Sequence, residues 1–165
     1  MQIKSLAGHH HLAPLLGAWH FAEWGQLYPT EVWNAEIAAA EFEGMASSNS
    51  ADRTWVAFEG DTRRGQDVLG SVSLMASDDL AGYEHLTPWL ASMFVAPAAR
   101  GCGVATALVD HLLAAARDAG HDEVYLFTSG QDDFWSARGW QVIAYVESAG
   151  HPAAVMSRST HSAQQ

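Results

Sequence analysis

Positive charge is what this sequence lacks most. Lysine occurs once, at Lys4, and Lys and Arg together number 8 against 19 Asp and Glu, for a formal net charge of −11. No Lys or Arg stands between Lys4 and Arg53, where Glu23, Glu31, Glu36, Glu41 and Glu43 all fall. An acidic chain of this kind repels nucleic acid and anionic membrane and attracts cations, so neither nucleic acid nor membrane is expected as a partner. A solvated helix face that aids solubility is the plainer alternative for the acidic stretch. Cysteine is almost absent. Cys102 stands alone, so no disulfide can form within the chain, and a cytoplasmic location is the simplest expectation. Long hydrophobic runs are missing as well. Leu12–Trp19 is apolar but short and broken by Pro14, which suits neither a signal peptide nor a membrane span. Metal ligands do not cluster. His9, His10 and His11 are consecutive and cannot all face one ion from regular structure, so no metal is expected.

What remains is a foldable globular composition. The 165 residues are 48% hydrophobic and 16% charged, which suits one domain with a sizeable core. A single domain over 1–160 is expected, with a frayed tail at 161–165.

Gln2–Leu6 reads as a first strand and Leu12–Trp24 as a helix. Thr30 is placed to cap a second helix over Glu31–Glu43. Thr54–Glu59 and Val68–Ala76 read as strands joined by a hairpin connection at Gly60–Gln66. After a loop at Asp78–Thr87, Trp89–Val95 is a strong strand stopped by Pro97. Val104, Ala107, Leu108, His111, Leu112 and Ala115 keep helical spacing, which predicts an amphipathic helix over Gly103–Ala119. Glu123–Thr128 is a strand and Asp132–Arg138 a short helix ended by Gly139. Gln141–Ser148 and Ala153–Ser159 form a closing hairpin. This order predicts a mixed α/β (α+β) sheet with helices on both faces.

Arg100-Gly101-Cys102-Gly103-Val104-Ala105 joins a strand to a helix. Gly101 and Gly103 let the backbone turn and approach a ligand with no Cβ in the way. The first amides of the following helix lack helical partners and suit phosphate oxygens, helped by the helix dipole. Ala105 keeps the surface small, the Thr106 hydroxyl adds a donor, and Arg100 is the one nearby fixed cation. A dinucleotide fingerprint needs a third glycine and a different strand order. A Walker A loop needs a lysine that is not there. Cys102 reads as a small filler in the turn, the alternative being a thiol activated at the helix terminus.

Val95-x-Pro97-x-x-Arg100-Gly101-x-Gly103-Val104-Ala105 resembles the coenzyme A-binding motif of the GNAT N-acetyltransferase superfamily. Tyr125-Leu126-Phe127-Thr128 and Phe134-Trp135-Ser136-Ala137-Arg138-Gly139-Trp140 extend the resemblance, as do His20–Gly25 and Thr87–Ala91, over about residues 10–160. The resemblance implies a GNAT-like, mostly antiparallel sheet flanked by helices, with two splayed parallel central strands at Trp89–Val95 and Glu123–Thr128. Acetyl-CoA is then the acyl donor. Its pantetheine arm would bond the backbone at Met93, Phe94 and Val95, its pyrophosphate would sit on Arg100, Gly101, Cys102, Gly103, Val104, Ala105 and Thr106, and Phe134 and Trp135 would border the thioester.

The implied chemistry is direct acetyl transfer to an amine. The amine must shed a proton, which a carboxylate can take directly or through water. Backbone donors near Phe94 would stabilise the oxyanion. Glu23 is the first candidate base, with Glu84 and Asp79 behind it. The family's usual tyrosine acid is matched here by Trp135, whose indole has no usable acidic proton; Tyr125, Tyr145, Ser136 or water are the substitutes. Trp19, Trp24, Tyr28, Trp33 and Trp89 are candidates to wall an acceptor pocket and hold a cation. Core packing is the preferred reading for Trp19 and Trp33. The acidic N-terminal half points to a small cationic acceptor, a polyamine or an aminoglycoside-like amino sugar. An amino acid or peptide N-terminus remains open, as does a homodimer. The rival reading is a non-catalytic acyl-CoA sensor.

Overall fold

The computed structural model describes residues 1–161. Eleven elements follow one another: β1 (Gln2–Ser5), α1 (Ala13–Trp24), α2 (Ala35–Met45), β2 (Arg53–Phe58), β3 (Val68–Met75), β4 (Trp89–Val95), α3 (Val104–Asp118), β5 (Glu123–Thr128), α4 (Asp132–Ser136), β6 (Gln141–Ser148) and β7 (His151–Ser159), with short 3-10 turns between. The strands form one seven-stranded sheet in the order β1-β2-β3-β4-β5-β7-β6. Every neighbouring pair is antiparallel except β4 and β5. The expected mixed sheet with a central parallel pair is therefore present. No described helix is long and apolar enough to cross a membrane.

Two apolar layers fix which helices lie on which face. Leu108, Val109, Leu112, Leu113 and Ala116 of α3 are buried against Val72, Leu74, Leu90, Val124 and Leu126 of the sheet. These α3 positions recur every three or four residues, so one stripe of the helix faces the strands. Leu12, Leu16 and Phe42, from the α1–α2 layer, cover Val56 and Val68 on the opposite face. A Cβ on Gly17 would lie 2.5 Å from the Ala39 backbone nitrogen, so α1 and α2 touch at backbone distance.

Beyond α2 that second face is closed by the loop after β3. Leu80 is buried with Trp89 and Val155, and Tyr125 and Phe127 pack beside them. The loop is thus pinned over β4, β5 and β7 rather than hanging free.

Two elements differ from expectation. The second helix begins at Ala35, not Glu31. Asn34 caps it in place of Thr30, its Oδ1 accepting the amides of Glu36 and Ile37 at 3.0 Å each. Asparagine is a stronger N-cap than threonine because its side chain reaches these orphan donors readily. Pro29–Trp33 instead forms a turn, with the Val32 and Trp33 amides on the Pro29 carbonyl. The second difference is at the end. β7 starts at His151, and Ala149 and Gly150 make a tight turn at φ 49° and 76°. Pro152 is tolerated inside β7 because it lies beyond the last β5 pair, Thr128 with Ala154, and so needs no ladder bond on that side. Thr160 and His161 are tied to the turn before β5, through Thr160 N–H on the Asp122 carbonyl and His161 Nε2 3.0 Å from the Asp122 carboxylate. The rest of the expected tail, 162–165, lies outside the described residues.

Candidate active site

β4 and β5 share a single register pair, Trp89 with Tyr125, backed by a 3.0 Å bond from the Tyr125 amide to the Pro88 carbonyl. Beyond it β4 stays with β3, β5 stays with β7, and the sheet opens between them. A bulge enlarges the opening. The β3–β4 register steps from Ser71–Phe94 to Ser73–Ala91, so Ser92 and Met93 together oppose Val72. Ser92 is held at φ 50°, a left-handed conformation uncommon for a non-glycine residue and costly unless its surroundings enforce it. Bulges of this kind re-aim backbone groups next to sites.

A cleft of about 2250 Å³ runs through this opening. On the α3 side it is walled by Met93, Val95, Gly101, Gly103 and Ala105, and across the slot by Leu126–Gln131, Phe134 and Trp135. Backbone amides from Gly101 to Thr106 make no hydrogen bond within the described protein; the first bond at the start of α3 is Ala107 N–H to the Gly103 carbonyl. Gly101 and Gly103 have φ of 76° and 79°, and a Cβ on either would meet nothing within 4 Å. The glycines therefore serve the turn and leave open space in front of the free amides. A row of unpaired N–H groups at a helix N-terminus facing an open slot fits a pyrophosphate.

The far half of the cleft lies under α1, α2 and the loop after β3. Trp24, Tyr28 and Trp33 line it, with Tyr28 edge-on to Trp33 at 5.7 Å. Its carboxylates are Glu23, Glu41, Asp52, Asp78 and Asp79. Only Arg100 and Arg138 bring guanidinium groups to the cleft among the described residues. Both are partly occupied: Arg100 donates to the Val95 carbonyl and lies 4.0 Å from Glu23, and Arg138 covers the Phe134 ring at 3.7 Å while donating to its carbonyl.

The titrating groups are not alike. Burial, with the like charge of Asp79 second, pushes Asp78 up to about 7. Burial lowers His20 to about 4. His20 is enclosed by Trp24, Phe42 and Phe94 and has only Ser71 Oγ within reach, at 3.4 Å.

The residues expected from the sequence are only partly brought together. Met93, Val95, Arg100, Gly101, Gly103, Val104, Ala105, Thr106, Phe134 and Trp135 line the slot, and Glu23, Trp24, Tyr28 and Asp79 line the far half. Phe94 is not among the residues that line the cleft; its ring packs against Trp19 and His20. Cys102 is exposed, with its thiol toward the Arg100 carbonyl. Trp89 is 1% exposed and its indole donates to the Leu86 carbonyl, which makes it core. Glu84 lies outside the cleft and accepts the Gly82 amide, a bond that lowers its pKa. Tyr125 also lies outside; burial and then its bond to Glu123 raise the phenol pKa. Trp19 packs as core, but Trp33 reaches the cleft, against expectation, because the late start of α2 leaves it in a turn. Sequence reading missed Asp78, His20 and Arg138. The Asp78-Asp79 doublet was visible, but not which of the two is the more buried.

A splayed parallel pair, a bulged strand and a helix terminus with free amides on one slot are the frame of an acyltransferase that uses coenzyme A. Residues 16–139 match the acetyltransferase (GNAT) family model, and the chain belongs to that family. Acetyl-CoA-dependent acetyl transfer is the activity of the family. Solved structures share the fold along the whole chain. An aminoglycoside 6'-N-acetyltransferase complexed with coenzyme A is 16% identical with a TM-score of 0.75, covering 100% of both chains. The aminoglycoside 6'-N-acetyltransferase from Enterococcus faecium is 16% identical at a TM-score of 0.72, again over 100% of both. A GCN5-related N-acetyltransferase from Kribbella flavida is 24% identical at 0.70, over 96% of each. No curated protein matches the sequence.

Proposed function

We propose that the protein acetylates a primary amine on a small cationic acceptor, with acetyl-CoA and acceptor bound together. The observation that carries this is the charge of the far half of the cleft, where of five carboxylates only Glu23 has a cationic side chain, Arg100, within 4.0 Å. Such a surface concentrates polyamines or amino sugars and disfavours amino acids, whose own carboxylate would be repelled. Trp24, Tyr28 and Trp33 offer aromatic faces to a cation, each contact supplying roughly 0.5–1 kcal/mol or more once desolvated. The relatives that act on aminoglycosides make an amino sugar one reasonable acceptor, and a polyamine is the other.

The chain's own residues divide the work. Amides of Gly101–Thr106 hold the pyrophosphate, the backbone at the Ser92–Met93 bulge holds the pantetheine arm and polarises the acetyl carbonyl, and Trp135 with Phe134 keeps water from the thioester. Fixing both reactants in one cleft supplies a large part of the acceleration. A second reading, an acyl-CoA sensor that turns nothing over, is favoured by one observation: the position of the expected acid is a buried tryptophan. Thiol release from acetyl-CoA measured over spermine, kanamycin, a peptide with a free N-terminus and glycine separates the two. Turnover with the polyamine or the amino sugar, and little with glycine, is expected. Saturable binding of acetyl-CoA with no turnover on any amine would leave the sensor reading standing.

A further inference from the structure

Asp78 is held in the acceptor half by its neighbours rather than by a partner of its own. The strand end before it is fixed by the Ala76 amide on the Asp52 carboxylate at 2.9 Å. Behind it, the Asp79 amide bonds the Ser77 hydroxyl at 3.2 Å, Asp79 takes φ 51°, and Leu80 is buried against Trp89 and Val155. Between these anchors Asp78 lines the cleft, and no hydrogen bond or ion pair engages its carboxylate among the described residues. The other cleft carboxylates are differently placed. Asp52 is used on Ala76, Glu41 accepts the Trp33 indole at 3.2 Å, and Glu23 faces Arg100. Asp79 is exposed.

We propose that Asp78 is the catalytic base that takes the proton from the acceptor amine. This rests on the reading of the protein as an amine acetyltransferase. In the balanced step the amine nitrogen bonds to the acetyl carbon, the carbon–sulfur bond breaks, and its electron pair leaves with the coenzyme A sulfur. The ammonium gives its first proton to the Asp78 carboxylate before the nitrogen attacks, and the second, lost as the amide forms, passes to water. The thiolate takes a proton from water, since Tyr28 is the only described tyrosine at the cleft and it lies in the acceptor half among α1–α2 residues.

Position alone does not set a base apart from an ammonium-binding carboxylate. A base must release and take a proton near the working pH. Asp78 is the described carboxylate whose pKa is pushed toward that range, by burial first and by Asp79 second. The charged or titratable groups lining the same cleft are His20, Glu23 and Tyr28 from α1 and the turn after it, Glu41 from α2, Asp52 before β2, Asp79 on the same loop, Arg100 and Arg138 on the cofactor side and His151 of β7. Of these, Asp79 adds the like charge that acts on Asp78. An arriving ammonium group adds a positive charge and favours the carboxylate, so the acceptor itself readies the base.

The test uses the full chain. Melting of wild type and Asp78→Asn with and without acetyl-CoA comes first, then kcat and KM against pH for whichever of spermine or kanamycin the wild type acetylates. Asp78→Asn should keep the acetyl-CoA-dependent rise in melting temperature. It should lose roughly 10²–10⁴-fold in kcat, and the acid limb of the kcat profile should vanish. Asp78→Glu should restore part of kcat and bring the limb back. A kcat for Asp78→Asn within about threefold of wild type, with the limb unmoved, overturns the assignment while leaving the amine reading intact. A wild type that binds acetyl-CoA and acetylates neither amine overturns both. If Asp78→Asn does not fold, Asp78→Glu decides: a lowered kcat with a displaced limb supports the assignment, and an unchanged profile overturns it.

Discussion

The Glu23 carboxylate at the end of α1 lies 4.0 Å from the Arg100 guanidinium at the phosphate turn, with both side chains about half exposed. The residue ranked first as base and the cation ranked first for the pyrophosphate thus face each other. Arg100 also donates to the Val95 carbonyl, so the pair clamps the end of β4 to the end of α1. Glu23 then competes with phosphate for Arg100.

Glu23→Gln tests this. An exposed ion pair contributes about 0–1 kcal/mol, so freeing Arg100 should lower the KM for acetyl-CoA by about two- to fivefold. The kcat should stay within about threefold. A hundredfold fall in kcat, with the KM for acetyl-CoA unchanged, would return Glu23 to the role of base.

Gly103→Ala tests the phosphate turn. At φ 79° an alanine is strained by roughly 1–2 kcal/mol. Its methyl would also stand in the open space before the free amides. The melting temperature should fall by about 2–8 °C, and the KM for acetyl-CoA should rise at least tenfold with little change in the KM for the amine. An unaltered KM for acetyl-CoA would place the pyrophosphate elsewhere.

Much of the fold was legible because its signals are local. Val104 to Ala115 carries an apolar stripe at helical spacing, the strand runs are rich in β-branched or apolar residues, and Gly101 and Gly103 mark the turn. The start of α2 was not, since Thr30 and Asn34 are both plausible caps, and the choice depends on where Trp33 can pack. The free amides of Gly101–Thr106, which carry the proposed donor site, were legible for the same reason as the fold: glycines and a helix start place them. The acceptor half was not. Trp89 and Trp33 look alike in sequence, yet one is core and the other wall, and Asp78 differs from Asp79 only through the Ser77 turn and the burial of Leu80.

Trp135→Tyr tests the missing acid. Trp135 is 7% exposed and stands edge-on to Phe134 at 5.1 Å and to Trp140 at 5.5 Å. The smaller ring should cost about 1–3 kcal/mol of stability. A phenol near the thioester should raise kcat at neutral pH by about ten- to a hundredfold, with a new alkaline limb near ~10. No rise would mean that water already protonates the departing thiolate fast enough.

Asp78 makes a separate prediction about stability. Its folded pKa, about 7, stands above its ordinary value of 3.8, chiefly because burial disfavours the charged form. Between those values the folded protein holds a proton that the unfolded chain has released. Stability therefore falls as pH rises through this window, and the loss is complete above about pH 7. Asparagine carries no such burden. Asp78→Asn should melt a few degrees above wild type at pH 8, and the difference should shrink through pH 4 and vanish below about pH 3, where Asp78 is neutral in both the folded and the unfolded chain. A stabilised protein that has lost turnover is the signature of a carboxylate kept in an unfavourable place for function. Equal melting at pH 8, or a variant less stable than wild type there, would show that Asp78 is solvated or paired in solution. Either result would remove the physical reason for its raised pKa.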